Sequence, residues 1–405
     1  MSSSPRRWSE VTSPSVPAGE PSPGPSPRRR SPPNQPRVGS RAPVAIGSRY
    51  HARNVSALPR ITDLTHAQFR DLAEAHGVRP FRGDQAYEWV MKKGVRQPDD
   101  MSNLPKPFRD VLWEKLDCKD PVTKWSNDPQ TTTDKLYMGL PDGDGVEAVL
   151  ICDGRRTTVC LSSQVGCPVG CTFCASGLLG LRRNLSAGEI LDQFIEARKR
   201  ARSLDRRISN VVMMGMGEPL LNYDAVVHAL EVLNDPEAGG IGARHITVST
   251  VGLGKGVKRL AQEGKQYTLA FSLHAPDDET RSELIPFPGV LSIAELMDSA
   301  HEYLRDTGRE VTFEYVLIEA VNASAKHAKH LADLLKGVRC TVNLIPYNEN
   351  PGLPFRRPTP GSIDRFEAIL RSRRIKVAVR KRKGHEILAA CGQLRLRERR
   401  ATSAE

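Results

Sequence analysis

Three cysteines in the middle of the chain have the types and spacing of a metal centre. Cys167, Cys171 and Cys174 follow one another at intervals of four and three residues. Three thiolates at this spacing can each bind one iron of a cubane iron–sulfur cluster, which leaves the fourth iron open to a substrate or cofactor. A structural zinc site is the alternative, because Cys160 could supply the fourth ligand that zinc needs. The spacing favours the cluster.

Alternating strand and helix patterns predict the elements that must position this motif. From about residue 121 a β-rich stretch is followed by apolar runs that alternate with helical segments, such as 189–199 and 225–233. This alternation predicts parallel βα units and therefore an α/β fold. Chemistry in βα barrels is built at the carboxyl ends of the strands, and the cysteine motif follows such a strand. The candidate strands are 157–161, 210–214, 245–249, 268–272, 312–317 and 341–345.

Composition divides the chain into four segments. Residues 1–56 are rich in Pro, Ser and Arg and poor in apolar residues, so we expect a disordered tail. Residues 57–120 show helical patterns with capping residues and predict a small helical domain. Residues 121–380 contain the βα units, and residues 381–405 form a C-terminal tail that carries Cys391.

The net charge of +12 is concentrated at the two ends of the chain. Residues 1–60 carry +8 and residues 371–400 carry +10, whereas residues 61–370 carry −5. Basic segments attract phosphate backbones, so residues 371–400 predict a contact with RNA. The sequence has neither a run of roughly 20 apolar residues nor the apolar core of a secretion signal. We therefore expect a cytoplasmic protein that does not enter a membrane.

The cysteine motif, with Phe173 just before its last cysteine, resembles that of the radical S-adenosylmethionine (SAM) superfamily. Residues 211–220, 272–276, 343–348 and 389–394 narrow the resemblance to the RlmN/Cfr family of adenosine methyltransferases, over about residues 57–395. The resemblance implies a partial (βα)6 barrel, a 4Fe-4S cluster bound by the three cysteines, and SAM bound at the open iron. It also implies that the helical segment 57–120 helps to grip RNA.

The resemblance assigns further residues to a SAM pocket after the apolar strand that ends near Met214. Glycines at that point permit a ligand to approach the backbone closely. His274 could equally be a core histidine with satisfied hydrogen bonds. The implied SAM-binding residues are Gly217, Glu218, Ser249, Ser272, Leu273, His274 and Asn348.

Cys391 is the second residue whose side chain could take part in the chemistry. Ring carbons C2 and C8 of adenine are not nucleophilic, so direct methyl transfer from SAM fails there, whereas covalent catalysis can divide the step. The resemblance implies that Cys391 takes a methyl group from one SAM, and that a deoxyadenosyl radical from a second SAM removes a hydrogen from it. The methylene radical then adds to adenine. By the same resemblance Glu147 is the base that removes the ring proton, and Cys160 releases the product by forming a disulfide with Cys391.

The implied function is methylation of adenosine C2 in 23S rRNA and tRNA, with an electron donor such as flavodoxin or ferredoxin and a monomeric enzyme. The contexts 170–176 and 183–185 resemble RlmN more than Cfr. Two alternatives stay open. One is Cfr-type methylation at C8 of 23S rRNA, and the other is an RNA-binding iron–sulfur or zinc protein without catalysis.

Overall fold

The computed structural model describes residues 58–394, which begin with a group of short helices. The predicted disordered tail, 1–56, and the last residues of the C-terminal tail, 395–405, lie outside this range. Thr65 is the N-cap of the first α-helix, and its side chain accepts a hydrogen bond from the backbone N–H of Gln68 in a capping box. The helices are α1 (His66–Ala75), α2 (Phe81–Tyr87), α3 (Lys106–Lys115), α4 (Ala175–Leu178), α5 (Ala187–Ser203), α6 (Tyr223–Asn234), α7 (Gly254–Gln262), α8 (Asp278–Leu284), α9 (Ile293–Thr307), α10 (Ala325–Leu334) and α11 (Pro360–Ser372).

Twelve strands are described between residues 58 and 394. The six strands predicted from apolar runs are all present, and their ends differ from the prediction by at most about one residue. The strands are β1 (Thr123–Asp128), β2 (Thr133–Gly139), β3 (Gly145–Asp153), β4 (Arg156–Cys160), β5 (Gln164–Gly166), β6 (Leu181–Asn184), β7 (Asn210–Met213), β8 (Ile246–Thr250), β9 (Thr268–Ser272), β10 (Val311–Leu317), β11 (Cys340–Pro346) and β12 (Lys376–Val379).

Ten of these strands form one mixed sheet, in the order β1-β2-β3-β4-β7-β8-β9-β10-β11-β12. The strands from β4 to β12 run parallel, and β1, β2 and β3 extend the sheet in antiparallel fashion beside β4. Helices connect the parallel strands, so the α/β prediction is confirmed. The sheet is larger than the six predicted strands because it also contains β1, β2 and β3 of the predicted β-rich stretch and the short strand β12, which adds a further parallel edge. β5 and β6 form a separate hairpin.

Side chains alternate between the two faces of the parallel sheet. On β8, Ile246, Val248 and Thr250 are buried, whereas Thr247 and Ser249 are half-buried. The face that carries the half-buried residues is called the inner face below. Register partners in a parallel sheet point to the same side, so the inner face also carries Cys160 of β4 and Ser272 of β9.

The N-terminal helices pack against α5 through apolar contacts and a buried ion-pair network. Arg96 is fully buried and lies 2.9 Å from Asp192 and 2.9 Å from Glu196, both on α5. Arg60 lies 2.7 Å from the same Asp192. Breaking a buried pair by removing one partner typically costs about 3–5 kcal/mol. These contacts fix the helices to the rest of the described chain.

None of the helices within residues 58–394 combines the length and the apolar character that crossing a bilayer requires.

Candidate active site

The cysteine loop, residues 166–174, joins β5 to α4 and is held mainly by backbone hydrogen bonds. Gly166 has φ +78°, and a Cβ atom there would lie 1.8 Å from the Gly180 carbonyl oxygen. Only glycine fits this approach. Cys167 donates its N–H to the same Gly180 oxygen (3.1 Å), and Thr172 donates its N–H to the carbonyl of Leu284 (3.0 Å). The loop is thereby tied to the β5–β6 hairpin and to α8.

The three cysteines share an apolar environment and influence one another electrostatically. Burial, with a smaller contribution from a thiolate at Cys174, raises the pKa of Cys167 to about 12. The pKa of Cys171 is raised well above its usual value, first by burial and then by the other two thiolates. All three cysteines pack against one apolar cluster, and binding to iron would relieve the repulsion between their thiolates. The apolar residues around them are Val169, Phe173, Val251, Leu284, Ile285, Val316, Ile318 and Tyr347.

This donor set fits a cluster better than a single ion. In the part of the chain that the structure describes, no group of three or more His, Cys, Asp or Glu side chains is arranged to hold one metal ion. A cubane cluster makes a different demand, because each thiolate binds its own iron. Cys160 lies on β4, where its backbone pairs with Val212 of β7, rather than in the cysteine loop.

The loop after β7 contains Gly217 and Glu218. Gly217 has φ +100°, and a Cβ atom there would lie 2.6 Å from the side chain of Gln164. The Glu218 carboxylate accepts hydrogen bonds from the backbone N–H groups of Leu220 (3.0 Å) and Val251 (2.9 Å). Burial raises the pKa of Glu218 to about 7, although these hydrogen bonds act in the opposite direction. Both carboxylate oxygens are engaged with backbone, so this residue shapes the loop.

Ser249, Ser272 and Leu273 lie at the carboxyl ends of two neighbouring strands. The hydroxyls of Ser249 and Ser272 are 3.4 Å apart across β8 and β9. The Leu273 side chain is fully buried, and its backbone N–H donates to the carbonyl of Glu314 (3.0 Å). The two serines therefore present hydroxyl groups on the inner face, whereas Leu273 supports the strand end.

His274 is a buried histidine that accepts two hydrogen bonds, one at the ring and one at its carbonyl oxygen. Its Nδ1 accepts a hydrogen bond from the backbone N–H of Val316 (3.0 Å), and its carbonyl oxygen accepts one from Asn322 (2.7 Å). Burial lowers the pKa of His274 to about 3, so the ring is neutral. The ring packs edge-on against Phe173 at 5.0 Å between centroids. His274 thus supports the cysteine loop from below.

Asn348 offers a polar atom that the protein leaves without a partner. Its Oδ1 is buried and accepts no hydrogen bond from any described residue. Its Nδ2 donates to the carbonyl oxygen of Cys391 (3.3 Å). A buried acceptor without a donor costs free energy, and a hydroxyl or amino group of a bound nucleoside would satisfy it. Asn348 therefore fits the predicted role in holding SAM.

The carrier segment, residues 384–394, is held beside the cysteine loop by polar contacts. The carbonyl oxygen of Gly392 accepts hydrogen bonds from the backbone N–H of Ala175 (2.8 Å) and from Nδ2 of Asn350 (3.1 Å). The hydroxyl of Ser176 donates to the carbonyl of Leu394 (2.7 Å). These contacts bring Cys391 next to the end of the cysteine loop, although the two are more than 200 residues apart in the sequence.

Cys391 and Cys160 lie close enough for their charges to interact. Burial, with a smaller contribution from a thiolate at Cys391, raises the pKa of Cys160 to about 12. Surrounding protein atoms also raise the pKa of Cys391, whereas the guanidinium of Arg380 lowers it. Cys391 nevertheless exposes a large part of its surface to solvent. Cys160 is half-buried, and neither thiol is in a disulfide.

Glu147 is buried on β3, beside the strand that carries Cys160. Its carboxylate lies 3.1 Å from Nζ of Lys135 on β2. Val149 pairs with Cys160, so Glu147, two positions earlier on β3, shares the inner face with that thiol. The structure therefore brings the predicted base and the predicted resolving thiol to the same side of the sheet.

Three further polar residues lie in this region and were not identified as site residues from the sequence: Glu314, Asn343 and Arg380. Glu314 of β10 is buried on the inner face, accepts a hydrogen bond from Asn343 (2.7 Å) and lies 3.9 Å from Arg380. Register places Glu314 between Ser272 and Asn343. A single carboxylate within an otherwise apolar predicted strand is the signal that could have revealed Glu314.

A parallel sheet, a three-cysteine loop beyond its strand ends and polar side chains on the inner face are the features of a radical SAM enzyme. Comparison with known proteins supports this class. Residues 161–333 match the radical SAM superfamily, and residues 60–117 match the ribosomal RNA large subunit methyltransferase N-terminal domain.

Relatives and a solved structure narrow the class. A probable dual-specificity RNA methyltransferase RlmN of Geobacillus kaustophilus (strain HTA426) is 42% identical over 343 residues, 85% of this chain and 94% of that protein. A protein of the same description from Symbiobacterium thermophilum is 47% identical over 82% of this chain and 90% of its own length. The crystal structure of a radical SAM methyltransferase from Sphaerobacter thermophilus superposes with a TM-score of 0.81 at 45% identity, covering 83% of this chain and 99% of that one.

The chain therefore belongs to the RlmN family of radical SAM methyltransferases. Its cofactors are a 4Fe-4S cluster and SAM.

Proposed function

We propose that this protein methylates C2 of adenosine in 23S rRNA and in tRNA, with Cys391 as the methyl carrier. The observation that carries the proposal is the position of Cys391. Its thiol is exposed, its carbonyl oxygen accepts a hydrogen bond from Asn348, and its neighbour Gly392 is hydrogen-bonded to the residue that follows the cysteine loop. A thiol held there can meet both SAM and an RNA base. The relatives described as dual-specificity RNA methyltransferases support two kinds of RNA substrate.

Cys167, Cys171 and Cys174 would hold the cluster, which together with SAM supplies radical chemistry. The SAM pocket would use Gly217 and Glu218 to shape the approach, the Ser249 and Ser272 hydroxyls, the strand end at Leu273 and His274, and Asn348 Oδ1 as an acceptor. These assignments are consistent with the geometry described above.

The remaining steps belong to side chains of the inner face and the carrier segment. Cys391 accepts a methyl group at sulfur. One C–H bond of that group breaks, its hydrogen leaves in 5′-deoxyadenosine, and the carbon bonds to the adenine ring. Glu147 accepts the ring proton, and one electron leaves the adduct, which the cluster would take up. Cys160 then forms a sulfur–sulfur bond with Cys391 while the bond from Cys391 to the carbon breaks, and the released carbon takes up a proton to become the methyl group of the product. A reductant must reopen this disulfide before the next turnover.

A basic group near the carrier segment supports RNA as the substrate. Burial lowers the pKa of Arg156, and the nearby Arg380 lowers it further. The pKa of Arg357 is lowered in the same way by burial and by Arg382. Arg380 and Arg382 immediately precede the segment that carries Cys391, and each lies close enough to a further arginine, Arg156 and Arg357 respectively, for the charges to interact. Such a concentration of positive charge binds phosphates. An electron donor such as flavodoxin or ferredoxin, a monomeric state and a cytoplasmic location stay predictions.

Mass spectrometry of the product tests the proposal. Reconstituted holoenzyme, SAM and a reductant are incubated with an unmodified 23S rRNA fragment and with unmodified tRNA, and the RNA is digested to nucleosides. We expect 2-methyladenosine from both RNAs. Exclusive formation of 8-methyladenosine would instead establish the Cfr-type reaction. Binding of RNA without any methylated nucleoside would support the interpretation as a non-catalytic protein.

A further inference from the structure

Arg281, on α8, is a buried cation that the reaction described above does not use. Only 3% of the surface of this residue is exposed to solvent. Its Nη2 donates to the carbonyl of Val251 (2.6 Å), its Nη1 to that of Leu291 (2.8 Å) and its Nε to that of Leu273 (3.2 Å). Among residues 58–394, no carboxylate lies within ion-pair distance of it. Neutral carbonyl groups satisfy its N–H donors but leave its charge unpaired.

The elements around Arg281 are those that pack on the cysteine loop. The carbonyl of Arg281 accepts the N–H of Ile285 (2.8 Å), and Thr172 of the loop donates its N–H to Leu284 (3.0 Å). Leu284, Ile285 and Val251 all belong to the apolar group around the three cysteines. The guanidinium is therefore close to the loop, with apolar side chains and backbone around it and little water to screen its charge.

The electrostatic relation between the two sites points the same way. Burial lowers the pKa of Arg281 to about 10, whereas the charge of Asp278 and, less strongly, a thiolate at Cys171 act to raise it. The side chain is therefore still positively charged at neutral pH, and it senses charge at one of the proposed iron ligands.

We infer that Arg281 is a positioning residue whose fixed positive charge makes the cluster easier to reduce. The inference rests on the cysteine loop holding the cluster, and not on which RNA or which ring carbon is methylated. One-electron reduction adds one negative charge to the cluster. A nearby fixed cation stabilises the reduced form more than the oxidised form, and burial strengthens this preference. Reductive cleavage of SAM needs a strongly reducing cluster that a cellular electron donor can still reduce.

The test is a redox titration of holoenzyme variants, followed by the electron paramagnetic resonance signal of the reduced cluster. Wild type, Arg281→Lys, Arg281→Gln and Arg281→Met are reconstituted, assayed for iron and titrated with dithionite and mediator dyes. At the wild-type midpoint potential, we expect the ratio of reduced to oxidised cluster in Arg281→Met and Arg281→Gln to fall at least about tenfold, or about 59 mV for one electron. Arg281→Lys, which keeps the charge, should stay near the wild-type value.

Arg198 of α5 provides a matched control. It is a largely buried arginine whose donors also bond to backbone carbonyls, those of Ala238 (3.0 Å) and Met91, and burial lowers its pKa to about 10 as well. It takes no part in the apolar group around the cysteines. Arg198→Met should reduce the stability of the fold without moving the cluster potential.

Several outcomes would overturn the inference. A wild-type potential in iron-loaded Arg281→Met and Arg281→Gln would show that the charge does not act on the cluster. Equal shifts in Arg281→Lys and Arg281→Met would show that shape, not charge, matters. Loss of iron from all three Arg281 variants would mean that the guanidinium builds the loop instead. A protein that methylates no RNA but shows the expected shifts would sink the proposed function and leave this inference standing.

Discussion

The cysteine loop and the carrier segment lie side by side, but they are held in different ways. The cysteine loop is tied by backbone hydrogen bonds to Gly180 and Leu284 and sits among apolar side chains. The carrier segment is held mostly by side-chain amides and a hydroxyl, from Asn348, Asn350 and Ser176. Cys391 remains accessible, whereas Val169 and Phe173 of the loop are buried.

This difference fits the role proposed for each region. A cluster and its bound SAM must be held at one place, which buried backbone contacts achieve. A carrier thiol must meet SAM, the RNA base and Cys160 in turn, so it needs a tether that can adjust. A side-chain hydrogen bond contributes about 1 kcal/mol and can be exchanged for another. The variants below test the two regions in order of expected effect.

Replacing the carrier thiol should abolish the reaction. Cys391→Ala removes the only proposed attachment point for the methyl group, so methylation of RNA should fall by more than about a thousandfold, as for other removed nucleophiles. Mass spectrometry of digested RNA measures the loss. Iron content and the binding of SAM should stay near wild type, because the side chain of Cys391 is not among the proposed cluster ligands. Normal methylation by this variant would refute the carrier role.

Removing the resolving thiol should stop the reaction at a later stage. Cys160→Ala retains the carrier and the base, so the bond between Cys391 and adenine should form but not break. We expect protein covalently attached to RNA, visible as a slow band on a denaturing gel that nuclease treatment removes. The double variant with Cys391→Ala is the control and should give no such band. If the single variant releases free methylated RNA at the wild-type rate, another group resolves the adduct.

Truncating the apolar support of the cysteine loop should reduce iron binding. Phe173→Ala removes a buried ring that packs on His274, a change that costs about 3–5 kcal/mol at buried sites. Iron per folded protein and the melting temperature should both fall. Phe108→Ala, at a fully buried position on α3, is the matched control and should lower only the melting temperature. Equal iron loss in both variants would mean that general instability, not the loop, is responsible.

Loosening the carrier segment should have a smaller effect. Asn350→Ala removes the hydrogen bonds from Nδ2 to the carbonyls of Gly392 (3.1 Å) and Phe173 (3.4 Å). A loss of about 1–1.5 kcal/mol corresponds to a fall in turnover of roughly tenfold, with normal iron content. Asn234→Ala is the control. It loses one hydrogen bond to the carbonyl of Ile241 at the end of α6, outside both regions, and should leave turnover unchanged. An iron-free Asn350→Ala protein would show that the two regions are not held separately.

The sequence alone predicted much of the fold because local patterns determine strands such as β9, whose predicted and observed limits coincide. It did not show that the Glu218 carboxylate is engaged with backbone, or that His274 supports Phe173. Those facts depend on residues brought together by tertiary packing. The bond from Ser176 to Leu394 spans 218 positions, and no local pattern contains such a contact. β12 was missed because a strand of four residues is too short to carry a clear periodic signal.

The central claim is that the methyl group passes through Cys391 and loses a hydrogen there. The most direct measurement uses protein whose Cys391 carries a CD3 group, one turnover with unlabelled SAM and unmodified RNA, and mass spectrometry of both products. We expect 2-methyladenosine that keeps two deuterium atoms and 5′-deoxyadenosine that has gained one. Transfer of an intact CD3 group, or an unlabelled methyl group on the base, would contradict it.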